Sequence, residues 1–295
     1  MGRNPFFIVD VFAEDKYAGN ELAVIRQAES ISDADMQKIA REMNFSETTF
    51  ILKDEASQGG FDVRIFTPQS EMPFAGHPTL GTAFIIQQEI LRQQVGEVVL
   101  NLKVGPIPVT FTYRGGEPDV LWMKQLPPRF GETITPEQTA QVLGLKPADI
   151  DLRFPVQSVS TGVPFFIVPL KTREALRRSR VNPRKLFALI NRTEAKAFLL
   201  FCPETLSPQN NLQVRVFADA LGVPEDPATG SANGCLAGYL VKHRYFGAGA
   251  VNIRVEQGYE VGRPSLLLLN AGEAAGDVSV SVGGRVIPVA RGELV

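Results

Sequence analysis

The sequence predicts an α+β protein built from two copies of one short cassette. Three observations carry this. Val63-Arg64-Ile65-Phe66 is echoed by Val214-Arg215-Val216-Phe217, 151 positions later. Each tetrapeptide leads through a Pro-containing loop into a turn of small residues and then into helix-like sequence. Those turns are Ala75-Gly76-His77-Pro78-Thr79-Leu80-Gly81 and Asp226-Pro227-Ala228-Thr229-Gly230-Ser231-Ala232-Asn233-Gly234. Finally, the chain shows neither a regular strand–helix alternation nor an all-helical pattern. A strand followed by a helix is common, so it is the matched positions and shared order together that point to duplication.

In order along the chain, Phe7 to Phe12 is rich in Val, Ile and Phe and reads as a strand, and Ala18-Gly19-Asn20 turns it into a second at Leu22 to Ile25. Ser32 opens a helix through Met43, with Asp35 placed for a capping box and Asn44 suited to the left-handed C-terminal position. Thr48 to Leu52 and Phe61 to Phe66 are strands parted by a Gly59-Gly60 turn. Pro78 to Ile90 reads as a helix, followed by strands at Val98 to Leu102, Ile107 to Tyr113 and Leu121 to Lys124. Proline and glycine thicken over Gln125 to Gly131, the expected linker. Helices are then expected at Pro136 to Leu143, Pro183 to Asn191 and Ala232 to Lys242. The remaining strands are Val156 to Ser160, Phe165 to Val168, Ala197 to Phe201, Leu212 to Phe217, Val251 to Glu256, Ser265 to Asn270, Val278 to Val282 and Arg285 to Ala290.

Hydrophobic residues at 44% and charged residues at 21% are the composition of a folded globular chain. A net charge of -2 argues against a nucleic-acid partner. No apolar run approaches the ~20 residues of a membrane span. Met1 to Phe6 enters strand-like sequence at once, which leaves no room for a signal peptide, so a cytoplasmic setting is expected. Two cysteines, Cys202 and Cys235, are too few for a disulfide framework, and neither sits in a glycine turn, so both read as buried packing. Dinucleotide, P-loop, zinc and nucleophile-elbow signatures do not occur.

Chemistry concentrates at the two turns. Each places glycine at a helix start, where backbone N–H groups lack partners and the macrodipole adds about half a positive charge. Such an end binds a carboxylate or phosphate, although glycine and serine there are also plain capping residues. His77, one of two histidines, lies in the first turn. A positive charge is disfavoured at a helix start, so a neutral imidazole bonding a ligand and a capping role both stand. The other histidine, His243, ends a helix beside Lys242 and suits the C-terminal dipole. Glu47, in Asn44-Phe45-Ser46-Glu47-Thr48, borders an apolar strand. It reads either as an acid–base group of raised pKa or as a charge on the strand's wet end. Asp226 could be a turn residue or a second acid facing the substrate.

At these residues the sequence resembles the phenazine-biosynthesis PhzF-like family, which is similar in fold to diaminopimelate epimerase. The matching stretches are Val9-Asp10-Val11-Phe12 with Gly19-Asn20, Asn44 to Thr48, Pro73 to Gly81, Glu225 to Ala232 and Gln257 to Ser265. The resemblance implies two pseudo-symmetric lobes, each a β-barrel-like sheet round a central helix, with the active site in the cleft between them. It places the lobes at about residues 1–125 and 130–282, and allows the C-terminal strand, about 283–295, to join the first. It also implies that Glu47 moves a proton in a dihydroanthranilate-type acid, with His77, Asp226 and Ser231 lining the site. No cofactor or metal is implied, and a homodimer is. Catalytic roles are thus expected for Glu47, His77 and Asp226, and substrate contacts for Asn20, Ser46, Gly76, Gly230 and Ser231.

One departure bears on mechanism. The epimerase relatives carry a catalytic cysteine in each turn, where this chain aligns Ala75 and Pro227, so two-thiol racemisation is not expected. The leading reading is a cofactor-independent isomerase that moves a proton within a small carboxylic acid. Epimerase or lyase chemistry on an amino acid, with Glu47 and Asp226 as opposed acids, is a second reading. A retired member acting as a binding protein is a third. Substrate and pathway are not written in the sequence.

Overall fold

A computed structural model describes residues 3–274 and 276–295, so Met1 and Gly2 of the N-terminal stretch read above lie outside it. The strands and helices are β1 (Asn4–Val11), β2 (Asn20–Ile25), α1 (Asp33–Met43), β3 (Glu47–Ile51), β4 (Phe61–Phe66), β5 (Glu71–Met72), α2 (Gly76–Ile85), β6 (Glu97–Leu102), β7 (Gly105–Arg114), β8 (Glu117–Lys124) and β9 (Arg129–Ile134). They continue with α3 (Pro136–Leu143), β10 (Val156–Ser160), β11 (Pro164–Pro169), α4 (Arg173–Arg178), α5 (Pro183–Ile190), β12 (Ala197–Cys202), β13 (Leu212–Ala218) and β14 (Val223–Asp226). The last are α6 (Gly230–Lys242), β15 (Ala250–Gln257), β16 (Ser265–Ala274), β17 (Asp277–Gly284) and β18 (Val286–Leu294). The fold class is α+β. Among the described residues no helix is long and apolar enough to cross a membrane.

The chain divides into two compact units, Met1–Met123 with Gly283–Val295, and Lys124–Val282. In the first, β1 pairs with β18 and β2 antiparallel, β2 with β3 parallel, β3 with β4 antiparallel, β4 with β6 parallel and β6 with β7 antiparallel. Helix α2 packs against β1, β2, β3, β6, β7 and β18, and nine of its ten residues are buried. Burial of Leu80, Phe84 and Ile85 stabilises this packing by roughly 1.5–3 kcal/mol each. Gly81 permits it: a Cβ there would lie 2.6 Å from Leu22 Cδ2. Met36 and Ala40 of α1 seal the other side of the sheet against Phe50 and Phe66. The Ser32 hydroxyl accepts from Asp35 N–H, and Asn44 ends α1 at φ 56, so both capping residues read from sequence are in place; the Asp35 carboxylate accepts from the Ser32 hydroxyl and not from the Ser32 backbone N–H that a capping box uses.

In the second unit β10 pairs with β9 and β11 antiparallel, β11 with β12 parallel, β12 with β13 antiparallel, β13 with β15 parallel and β15 with β16 antiparallel. Eleven of the thirteen residues of α6 are buried against this sheet. Gly234 and Gly238 allow the approach; a Cβ on Gly238 would stand 2.7 Å from Pro128 Cβ. On the other side α3, α4 and α5 pack Leu143, Leu176 and Leu186 against Phe166 and Phe198. Both faces of β12 are therefore covered, which explains its unbroken apolar run Ala197 to Cys202.

From β1 to β7 and from β10 to β16 the pairings run in the same sequence of antiparallel and parallel neighbours, each β5 or β14 being a short side branch on β4 or β13. The echoed arginine also has the same partner in both copies. Arg64 forks onto Glu71 at 2.8 and 2.9 Å, and Arg215 onto Glu225 at 2.8 and 2.7 Å. Duplication is thus a property of the fold and not only of a tetrapeptide.

Three expectations shift. Both central helices begin two residues earlier than the sequence suggests, at Gly76 and Gly230. Pro78 falls in the first turn, where its missing N–H costs no hydrogen bond. Helix α2 also widens after Ile85 into a π-helical segment, Ile86–Leu91, inside the span expected to be one α-helix. The stretch expected as linker holds the start of β9, which pairs with β10 across Gly131. A short helix, α4, went unanticipated; Thr172 caps it by accepting from Ala175 N–H.

The turn after β15 depends on one glycine. Gly258 has φ +80, and a Cβ there would stand 2.2 Å from the Arg263 carbonyl oxygen and 2.5 Å from that of Pro227. Gly258→Ala is expected to lose about 2–4 kcal/mol, from left-handed strain and a backbone clash. Urea unfolding checks this, and a loss below about 0.5 kcal/mol would show that the turn relaxes freely.

Candidate active site

In the first unit, β2 and β3 run parallel and begin at the same end of the sheet, Leu22 standing opposite Glu47. Asn20 opens β2 and is buried, and Ser46 precedes Glu47 at the start of β3. Gly19 makes that corner possible. At φ +68 its missing Cβ would meet the Val11 carbonyl at 2.4 Å. Helix α2 starts at Gly76 behind an extended Ala75, with no side-chain cap and no acid in its first turn. Its first N–H groups therefore keep their pull on an anion.

His77 and Glu47 meet here, Nε2 to Oε2 at 3.4 Å, with side chains 7% and 17% exposed. Burial of His77 pushes its pKa down to about 3, against a smaller opposing effect of a hydrogen bond to the Glu21 backbone. The contact is therefore between a carboxyl group and a neutral ring, not an ion pair. Nε2 makes no hydrogen bond, so the ring donates to the Glu21 carbonyl through Nδ1. That fixes the tautomer and turns the Nε2 lone pair toward Glu47. The sequence allows a neutral imidazole here on the ground of the helix dipole, beside a capping role; the lowering comes from desolvation.

The second unit holds Asp226, Gly230 and Ser231. Asp226 closes β14, and its Oδ2 accepts from the Thr229 hydroxyl at 2.5 Å. Thr229 precedes Gly230, the first residue of α6, and Ser231 follows it. Gln257, at the end of β15 and fully buried, holds this turn by four hydrogen bonds. Sequence reasoning gave Gln257 no role. The available signal was a polar side chain at the end of a strand, directly before a glycine.

Register identifies the counterparts within the duplication. Glu47 pairs with Leu22 beside Thr48↔Phe66, and Ala197 pairs with Phe165 beside Phe198↔Phe217. Ala197 thus occupies the place of Glu47, so the second copy carries no acid there. At the helix starts Ser231 matches His77, and Thr229, rather than Pro227, matches Ala75. Neither matching position is a cysteine. Burial raises the thiols of Cys202 and Cys235 to about 12 and about 11, so both are inert at neutral pH. His243 caps the end of α6 and bonds Gln157. Among the described residues no three His, Cys, Asp or Glu side chains gather as a metal ion would need.

The model of the phenazine biosynthesis-like protein family, PhzC-PhzF, matches residues 9–292. The chain belongs to that family. It is 33% identical over 292 residues to the trans-2,3-dihydro-3-hydroxyanthranilate isomerase of Pseudomonas aeruginosa, covering 98% of this chain and 99% of the relative. A crystal structure of the PhzF-family phenazine biosynthesis protein of Bacillus anthracis superposes with a TM-score of 0.91 at 25% identity, each chain covered in full. A hydroxyproline epimerase of Agrobacterium vitis shares the fold alone, with a TM-score of 0.63 at 10% identity over 99% of this chain and 91% of that one. Family relatives of full length are named isomerases, which supports an isomerase activity for this chain.

The depressed His77 pKa has a consequence for stability. Folding requires a neutral ring, so its stabilising effect is complete above the unfolded value near 6.5 and is lost progressively toward the folded value of about 3. Urea midpoints measured from pH 7.5 to 4 are expected to fall more steeply for the natural protein than for His77→Gln. Parallel curves would place His77 in contact with water.

Proposed function

We propose that this protein is a cofactor-independent isomerase that moves a proton within a small carboxylic acid, with Glu47 as the general acid–base group. The observation that carries the reading is the contact of Glu47 with the neutral, tautomer-fixed ring of His77. Nε2 offers only a lone pair, so it can bond Glu47 only when the carboxyl group carries a proton. The ring thereby favours the state in which Glu47 has taken a proton from carbon. The 3.4 Å separation is long for that bond, as is common before substrate is bound.

In the reaction, Glu47 removes a proton from one carbon, and the C–H electron pair enters the adjacent π system. A double bond shifts along the chain, and the proton on Glu47 goes to the carbon at its far end. No oxidant or reductant is needed. Charge developing on the substrate is met by the N–H groups at the start of α2, beside Asn20 and Ser46. The parts expected of Asp226, Gly230 and Ser231 in the same reaction rest on the family resemblance. The absence of an acid at the counterpart of Glu47 in the second copy, Ala197, supports a proton shift over epimerisation by two symmetry-related bases.

The first probe is trans-2,3-dihydro-3-hydroxyanthranilate, followed by a panel of small carboxylic acids if it is inert. Glu47→Gln is expected to lower kcat by ~10²–10⁴-fold while leaving the far-UV circular dichroism unchanged. A folded Glu47→Gln enzyme with kcat within threefold of the natural one would remove Glu47 from the chemistry.

A further inference from the structure

We propose that Gln257 is a positioning residue for Asp226, acting through the hydroxyl of Thr229. The proposal rests on the reading that Asp226 serves the reaction. Gln257 is wholly buried at the end of β15, and its amide has two N–H donors and one oxygen with two lone pairs. Its Oε1 accepts from Thr229 N–H at 3.2 Å and from Asn233 Nδ2 at 2.9 Å. Its Nε2 donates to the Asp226 carbonyl at 2.8 Å and to Thr229 Oγ1 at 3.0 Å.

Two of these partners are backbone groups whose roles cannot reverse. A backbone N–H only donates and a backbone carbonyl only accepts, so the amide has one possible orientation; the flipped one sets donor against donor and acceptor against acceptor. That orientation makes Thr229 Oγ1 an acceptor from Gln257. The one hydroxyl proton of Thr229 must then point elsewhere, and Asp226 Oδ2 lies 2.5 Å away. A hydrogen bond donated to a carboxylate favours the ionised form and fixes which oxygen receives it. Without Gln257 nothing holds the hydroxyl oxygen as an acceptor, and its proton is free to turn away from Asp226. The buried amide thus sets the rotor, and the rotor directs its proton to Asp226 Oδ2.

The counterpart turn in the first unit is built on different bonds. There Thr79 Oγ1 donates to the Ala75 carbonyl, as Asn233 Nδ2 donates to that of Thr229. The cap-to-helix bond is common to both copies. The chain from amide to hydroxyl to carboxylate is described for the second.

The test is a pH titration of Asp226 by carbon-13 NMR on carboxyl-labelled full-length protein, with Asp226→Asn assigning the signal. Thr229→Val and Gln257→Leu, each shown folded by circular dichroism, are expected to raise the titration midpoint by about 1 in pH, the size of one lost charge-assisted hydrogen bond. Thr229→Ser should restore it, and the double variant should move it no further than either single one. Should Gln257→Leu fail to fold, Gln257→Met takes its place, because it also leaves Thr229 Oγ1 without its donor while adding no charge beside Asp226, and it is expected to raise the midpoint as well. An unmoved midpoint in folded Thr229→Val, or a moved one in that variant with an unmoved one in the folded Gln257 variant, overturns the proposal. Turnover of trans-2,3-dihydro-3-hydroxyanthranilate by the same variants is read separately. A moved midpoint in a protein whose Asp226→Asn variant keeps full turnover would uphold the hydrogen-bond chain and reject the functional reading it rests on.

Discussion

Enclosing a helix within a sheet leaves only the ends of that helix available for chemistry. Nine of ten residues of α2 are buried, and the sheet comes close because Gly81 has no side chain to hold it off. The start of α2 is thereby fixed at the edge of the sheet where β2 and β3 also begin. Asn20, Ser46 and Glu47 come to that edge from the strands, and Gly76 and His77 from the helix. The same burial strips water from His77 and keeps its ring neutral. The site in the first unit is thus a consequence of packing, and needs no cationic side chain to attract an anion.

Repeating this construction would give two equal sites if the side chains were repeated as well. They are not. The structural parts persist in both copies: the pairing order, the Arg–Glu fork and the glycine-bearing buried helix. The side chains at the candidate site differ, with Glu47 against Ala197 and His77 against Ser231. Packing must be satisfied in each copy, whereas the proposed proton shift asks for its base only once.

Much of this was legible in the sequence. The echoed tetrapeptide marked the duplication because four matched positions recur with the same strand, glycine turn and helix after them. Ser32, Asn44 and Gly19 announced their caps and corner, since each is a residue type that the backbone geometry demands. Three things were hidden for physical reasons. The register that makes Ala197 the counterpart of Glu47 depends on pairing between strands distant in sequence. The role of Gln257 arises from partners between 24 and 31 residues away. The cause of the neutral ring at His77 is desolvation by tertiary packing, which no local pattern states. Helix α2 starts two residues before Pro78, because any position in the first turn accepts proline, and α6 starts two residues before Ala232.

The central claim is that one carboxylate moves one proton without inverting a stereocentre. The most direct measurement is turnover of a carboxylic-acid substrate in D₂O, with deuterium counted and located in both product and recovered substrate. The expected result is no more than one deuterium per product molecule, at the carbon that gains the proton, with every untouched stereocentre retained. Deuterium at an inverted α-carbon in recovered substrate would require a second base and contradict the account.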